Sequence, residues 1–376
     1  MDENRGTQLK FVGEGRDGRF DWQYPVQFFN QFGLQIEAEG YAPEASALAS
    51  IKDPEQTYEF KLKKSSDIRG QVVSSDGQPI AGAGVFLGGQ RMGPSMAYNP
   101  ARGYFLVSNE REHESHTDLR GNFHFKPTYR ADRIVVSHDS GYAAVSLSAL
   151  SNGPIALEPW SRVEGTLRIG RGPGAKQTVG MRGLDPATGK PQYPFSMNAK
   201  TDDAGRFVFE HVPEGTMEVF RVTDFHEGMS GVIGWSHVTK IQVAAAGTNE
   251  VTFGGFGRQV IGRIRTSLTN TVVDWKRDLQ RLVAVRTEDP YYLAVRQDGS
   301  FLADDVPPGK YRLELRLTEP PADALSDERF MPRGRELSSL NRDVTIPEAT
   351  TEQQSDEPVN LGEIVLNLKT ASQVRK

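Results

Sequence analysis

The sequence predicts an all-β protein, a tandem array of antiparallel, Greek-key β-sandwiches joined by short linkers. Three observations lead there. Strand-like runs alternating at period 2 recur along the chain with no long amphipathic helix between them; helices would imply parallel sheets, and their absence implies antiparallel ones. Of 376 residues, 38 are Gly and 22 Pro, about 16 % against an average near 12 %, which punctuates a chain with many tight turns. Finally, two motifs repeat at a nearly fixed period.

The first motif is a short opening strand carrying a glycine: Ile68-Arg69-Gly70-Gln71-Val72, Val163-Glu164-Gly165-Thr166-Leu167 and Val260-Ile261-Gly262-Arg263-Ile264, with the glycines 95 and 97 residues apart. The second is a turn leading into an aromatic strand: Asp118-Leu119-Arg120-Gly121-Asn122-Phe123, Asp203-Ala204-Gly205-Arg206-Phe207 and Asp298-Gly299-Ser300-Phe301, foreshadowed by Asp17-Gly18-Arg19-Phe20. Asp caps backbone N–H groups in such turns and Gly supplies the positive φ. Alternation then puts Phe207 and Phe209, or Phe123 and Phe125, on one inward face, with His124 on the outer one. Val212-Pro213-Glu214-Gly215 and Val306-Pro307-Pro308-Gly309 are further turns, followed by the alternating runs Thr216–Phe220 and Lys310–Leu315.

Closing strands occur four times, at Tyr58–Leu62, Ile155–Leu157, Val251–Phe253 and Ile364–Leu368, but opening strands only three times. The expected organisation is therefore a partial repeat lacking its opening strands (1–64), then three fuller repeats (65–160, 161–255 and 256–370). Each full repeat holds roughly seven short strands, as a sandwich of two facing sheets requires. The third full repeat carries a long insertion at 318–360, where Ser326–Phe330 is the best helical candidate. The first full repeat has an insertion from Gly88 to His116 with a possible extra strand at Tyr104–Val107. Glu158-Pro159-Trp160-Ser161 and Gly254-Gly255-Phe256-Gly257 read as linkers in a semi-rigid array.

The run Gly70-Gln71-Val72-Val73, Asp76-Gly77-Gln78-Pro79-Ile80-Ala81-Gly82-Ala83-Gly84-Val85, then Asp118–Phe123 and Gly141-Tyr142 resembles the carboxypeptidase regulatory-like domain. The later repeats keep fewer of these residues. That resemblance implies a transthyretin-like, carbohydrate-binding-like β-sandwich and specifies a fold rather than an activity. It also implies an extracytoplasmic setting in a bacterial envelope or exported protein. Isopeptide crosslinks, known among adhesin-type relatives of this fold, are not expected, because Arg69, Arg263 and Arg265 stand where a lysine would be sought.

Composition narrows the function. Lys and Arg total 44 and Asp and Glu 49, a net charge of −5, which argues against a nucleic-acid partner. With no cysteine, disulfides, thiolate metal sites and Cys nucleophiles are excluded. No stretch reaches the ~18 apolar residues of a transmembrane helix. The N-terminal residues Met1 to Gly6 are polar and lack a secretory apolar run. No Gly-x-Ser-x-Gly elbow or phosphate-binding Gly-Lys-Ser/Thr is present. His113-Glu114-Ser115-His116 lacks the i, i+4 spacing of a helical zinc site. The turn residues Asp17, Asp118, Asp202, Asp203, Asp298, Asp304 and Asp305 supply too few carboxylates per turn for calcium.

The expected function is accordingly non-enzymatic, with no cofactor or metal: a spacer, scaffold or adhesion segment whose partner is a cell-surface glycan or an envelope protein. The first alternative is carbohydrate binding by exposed aromatics, for which Trp160, Trp235, Tyr104 and Tyr291 are the candidates. The competing reading of Trp160 and Trp22 is that they seal sandwich ends and joints. A second alternative makes these repeats accessory domains of a larger hydrolase or peptidase.

Overall fold

In the computed structural model, the opening glycine and the aromatic of the following turn form a single contact. A Cβ on Gly165 would lie 2.2 Å from the Phe207 ring, on Gly70 2.5 Å from Phe123, and on Gly262 2.5 Å from Phe301. Gly165 pairs with Phe207, and Gly262 with Phe301, directly across antiparallel strands. The phenyl ring therefore occupies the space over the bare backbone of the neighbouring strand, where a side chain would displace it.

The structure describes residues 14–20, 31–50, 57–88, 95–99, 103–107, 114–127, 131–184, 191–224, 233–267, 275, 280–318, 336–349 and 357–368. The chain divides into two compact units, Met1–Ile68 with His124–Arg130, and Arg69–Phe123 with Ala131–Lys376.

One strand plan occurs three times from Ile68 onward. In the third repeat the strands are Ser161–Ile169, Thr178–Leu184, Pro191–Lys200, Arg206–Val212, Gly215–Asp224, Ile233–Val243 and Thr248–Gly254. In the fourth they are Arg258–Thr266, Arg281–Ala284, Pro290–Tyr292, Ser300–Val306, Gly309–Thr318, Glu336–Ile346 and Val359–Leu366, with a short extra strand at Ala294–Val295. The second repeat follows with Ile68–Val73, Gly84–Gly88, Glu114–His116, Asn122–Phe125, Arg133–His138, Gly141–Ser146 and Ile155–Ala156. In every case the opening strand lies between the fourth and the closing strand, and the sixth, fifth, second and third strands form the facing sheet. The all-β, tandem-sandwich expectation holds.

One feature of the sheets was not legible in the alternation. Each closing strand runs parallel to its opening strand: Ile155 beside Val72, Gly165 beside Val251, Ile264 beside Ile364. The pairings of the second strand with the third and fifth, and of the fifth with the sixth, are antiparallel in all three sandwiches, as are those of the opening with the fourth strand in the third and fourth repeats. Among the described residues of the smaller unit no such closure occurs. There Tyr58–Leu62, expected as a closing strand, makes no ladder among the described residues, where no opening strand stands to receive it. A single bridge between Tyr41 and Lys64 lies just beyond. The other pairings there are two-residue ladders, Gln31–Phe32 with Ala49–Ser50 and Gln35–Ile36 with Glu44–Ala45. Asp17 (φ 52°) and Gly18 (φ 71°) form the tight turn bridged by Arg16 and Arg19.

Burial follows the predicted alternation. Phe207 and Phe209 are inside with Val208 between them on the surface, and Phe123 and Phe125 flank an exposed His124. The His124 Nε2 lies 2.7 Å from an Asp67 carboxylate oxygen. Val163, Leu167, Val179, Met181, Val219 and Phe253 centre the third core, which also takes in Phe86 and Val135 of the second repeat. Val260, Ile264, Leu282, Leu313, Ile346 and Leu366 centre the fourth.

The turn carboxylates act as turn chemistry. Asp118 Oδ1 accepts from the N–H groups of Arg120 and Asn122, both at 2.8 Å, which holds its carboxyl below the usual range. In the third repeat the corresponding cap is Asp202, not Asp203, accepting from Ala204 and Arg206 at 2.9 and 2.8 Å. Asp298 instead accepts from the N–H and hydroxyl of Ser300.

The expected extra strand in the second repeat exists as Gly103–Val107, hairpinned with Ser95–Asn99. That hairpin joins the third repeat's sheet, Met96 pairing parallel to Phe195. Ser326–Phe330 and most of the 318–360 insertion lie outside the described residues, as do Trp22 and His113. The helical segment among the described residues is a 3-10 stretch, Leu147–Asn152.

The ring-over-glycine contact predicts a specific coupling. Gly165→Ala should cost about 1–3 kcal/mol by overpacking, and Phe207→Ala about 3–5 kcal/mol. In urea unfolding the double variant should cost less than the sum, because removing the ring relieves its share of the crowding on the methyl and leaves the Val251 carbonyl oxygen, 2.7 Å from the Cβ position. Strict additivity would contradict the contact.

Candidate functional sites at the repeat joints and on the third-repeat sheet

Two joints and one sheet face gather the polar and aromatic residues most suited to function. The first joint follows the linker Glu158-Pro159-Trp160-Ser161. The Trp160 indole N–H donates to the His138 carbonyl at 2.8 Å. Its ring stacks on Tyr142 at 4.7 Å and meets His211 edge-on at 5.7 Å. The Tyr142 hydroxyl accepts from the Glu214 N–H at 3.0 Å, and burial pushes its pKa well above the ordinary phenol value. Tyr142 and His138 come from the second repeat, Glu214 and His211 from the third. Trp160 thus packs into the joint and against the third core.

The second joint is built around Asp305, whose side chain is fully buried. Its Oδ1 accepts from the N–H groups of Gly257 at 2.7 Å and Gly170 at 3.1 Å. Its Oδ2 accepts from Gly255 N–H at 2.6 Å and lies 3.0 Å from His237 Nε2. That nitrogen is also 2.9 Å from the Asp305 carbonyl. Both neighbours of Nε2 are acceptors, so Nε2 carries the proton, and Nδ1 faces the Ser236 hydroxyl at 2.8 Å. Asp305 and His237 both sit in the left-handed region, at φ 51° and 59°, a strained conformation for residues with side chains. Gly257 is obligatory, since a Cβ there would fall 2.2 Å from the Asp305 carbonyl carbon.

Ser236, His237 and Asp305 have the connectivity of a nucleophile–base–carboxylate relay. Here the arrangement is sealed: the His237 and Asp305 side chains are 3 % and 0 % exposed and Ser236 is buried. The amides that could stabilise an oxyanion are occupied by Asp305 itself. Geometry makes this a pin between repeats. It also corrects the reading of Asp305 as a turn residue; its neighbour Asp304 points the other way, to Arg221 at 3.5 Å.

Of the sequence candidates, Tyr291 is buried beside this pin, edge-on to His237 at 5.3 Å and to Tyr311 at 5.8 Å. Trp160 lies in the other joint, and the Tyr104 side chain lies outside the described residues. Trp235 is 39 % exposed on the outer face of the six-stranded sheet that four strands of the third repeat form with the second-repeat hairpin. The Arg182 guanidinium lies over both the Trp235 and Phe220 rings, at 5.4 and 5.1 Å, a favourable cation–π geometry. Arg182 is fixed in turn by Glu218, whose Oε2 receives its Nε and Nη2, each at 2.7 Å. Sequence reasoning singled out Trp235 but missed Arg182, Glu218 and Phe220, which periodicity places on one face only once the strand register is known. Among the described residues no group of three or more His, Asp or Glu side chains is placed to hold a metal.

No family model and no curated protein matches the chain. Solved structures with similar parts include the minor pilin of Streptococcus agalactiae, 10 % identical, covering 56 % of this chain and 97 % of that one, TM-score 0.25. A streptococcal ancillary pilin is 11 % identical over 81 % of this chain and 99 % of its own, TM-score 0.20. A Pseudomonas aeruginosa protein provisionally described as carbohydrate-binding is 17 % identical over 26 % and 88 %, TM-score 0.18. With TM-scores this far below 0.5, these similarities assign neither a family nor an activity.

The pin and the first joint each predict a measurable response. Asp305→Ala leaves three amides without their acceptor and removes the carboxylate beside His237, which keeps the backbone carbonyl of residue 305, and should cost about 3–5 kcal/mol in urea unfolding. The adjacent Asp304→Ala, which breaks a partly exposed ion pair, should cost less than about 1 kcal/mol. Equal losses would contradict the assignment. At the first joint, burial holds His211 down to about 4 from its ordinary 6.5, so the folded state favours the neutral ring. That contribution is whole above pH 6.5 and is lost as pH falls from 6.5 through about 4. Thermal unfolding of the wild type should weaken across this window more than that of His211→Phe.

Proposed function

We propose that this chain is a non-catalytic structural and interaction segment of an exported or cell-envelope protein, in which successive carboxypeptidase regulatory-like sandwiches present their faces as one scaffold. The organisation is a partial repeat at 1–64 followed by three full ones at 65–160, 161–255 and 256–370. The observation that carries the reading is the second joint, where a wholly buried carboxylate is spent on pinning the fourth repeat to the third. Uncompensated, burying such a charge is costly, and three amides with an imidazole compensate it here. A flexible string of independent modules has no use for that arrangement. The extracytoplasmic setting rests on the repeat motifs.

A specific observation supports a second reading, carbohydrate binding: Trp235 stands exposed on a sheet face, oriented by Arg182 and Glu218. The partner would then be a cell-surface glycan rather than an envelope protein.

Export is tested by tagging the natural gene product in its host and treating intact cells, and cells with a permeabilised outer layer, with protease. The tagged protein should be cleaved without lysis of the cytoplasm. Protection until the cytoplasm is opened would contradict the envelope role.

A further inference from the structure

The strand register fixes which side chains accompany Trp235 on the outer sheet face. Ser196, Arg182, Glu218 and Lys240 stand side by side across the four strands, because Arg182 pairs with both Ser196 and Glu218, and Glu218 pairs with Lys240. Four residues along, Lys200, Thr178, Val222 and Trp235 form a second row by the same pairings. Between the rows, Gly180 lies beside Asn198 and beneath Phe220, whose ring would be 2.4 Å from a Cβ at Gly180. Residues directly opposite on paired strands share a face, so this patch holds one indole, three cations and one carboxylate.

The charge balance is uneven. Glu218 is 10 % exposed at its side chain and committed to Arg182. Lys200 and Lys240 are exposed, and neither forms an ion pair with a described residue. The chain as a whole carries a net charge of −5, so a cationic face around an exposed aromatic runs against its composition. A ligand complementary to this patch offers an apolar ring face to Trp235 and anionic groups to the lysines.

We infer that the outer face of the four strands that the third repeat contributes to its six-stranded sheet binds an acidic oligosaccharide, stacked on Trp235 and paired through its carboxylates or sulfates with Lys200 and Lys240. This rests on the carbohydrate-binding reading above and adds the ligand's charge and minimum length. Lys200 and Trp235 stand at opposite ends of a four-strand row, three inter-strand steps of about 4.8 Å apart, or about 14 Å. One sugar ring does not cover that distance, so an oligomer of a few units is required. Screening weakens the pairing between exposed charges, which makes salt a diagnostic of the mode.

The test is isothermal titration calorimetry of the full chain with a hexamer of polygalacturonate, a monomer of galacturonate and a neutral cellohexaose, at low and high salt. The acidic hexamer should bind at least about tenfold more tightly than either comparator, and weaken as salt rises. Trp235→Ala, and separately the doubly substituted Lys200→Glu, Lys240→Glu, should each lower that affinity by about tenfold or more. The lysines are exposed, so their replacement leaves folding intact and keeps the test decisive if Trp235→Ala fails to fold. Equal binding of neutral and acidic hexamers, indifferent to the lysines, would overturn the acidic assignment while leaving sugar binding standing. Acidic binding that survives the lysine reversal would also overturn it. No binding by any of the three saccharides would overturn both.

Discussion

Each sandwich depends on a backbone left bare so that a phenylalanine can lie on it. Gly70, Gly165 and Gly262 sit mid-strand, where glycine ordinarily weakens a sheet for lack of a side chain to bury. The ring of Phe123, Phe207 or Phe301 supplies the missing apolar cover from the adjacent strand. The arrangement locks the opening strand to the fourth and places the aromatic at the centre of the core. From the other side the opening strand accepts the closing strand in parallel. One strand thus organises its whole sheet, and the described residues of the first stretch of chain, which include no such strand, pair in two-residue ladders and single bridges.

The joints reuse this economy in different chemistry. Between the second and third repeats the contact is mainly aromatic, Trp160 stacked on Tyr142 with His211 at its edge, and apolar residues of both repeats merge into one core. Between the third and fourth it is ionic and hidden, with Asp305 filling a cradle of three glycine amides beside His237. The linker glycines serve this cradle by bringing backbone N–H groups within reach of the carboxylate. Two residues held at positive φ within one contact are tolerated because the surrounding hydrogen bonds determine both.

Much of the fold was legible because a half-buried strand writes its faces into the sequence at period 2. The repeats, the seven-strand plan and the inward phenylalanines all came from that alternation and from the turn residues. The partner of a strand is not written there. The parallel closure therefore escaped, and the glycine and phenylalanine motifs looked like two signatures when they are one contact. Asp304 and Asp305 are adjacent and chemically identical in the sequence, yet one meets a guanidinium in a partly buried ion pair and the other is wholly buried in the pin. A left-handed φ at Asp305, which no residue type announces, makes the difference. Trp160 and Trp235 are equally ambiguous in sequence; their environments, a joint and an open sheet face, separate them. Lys200, Lys240 and Arg182 gain meaning beside Trp235 only through the register of four strands.

A buried carboxylate fixes the third and fourth repeats to one another, so that they act as one body. Native-state amide hydrogen exchange at Gly170, Gly255 and Gly257, read beside Leu167 and Ile264 in the two cores, tests it most directly. If the joint is a permanent pin, the three glycine amides exchange only through the same opening that exposes the cores, with matching free energies. Exchange of those glycines through a separate, low-energy opening while both cores stay protected would show that the repeats part freely, and would contradict the account.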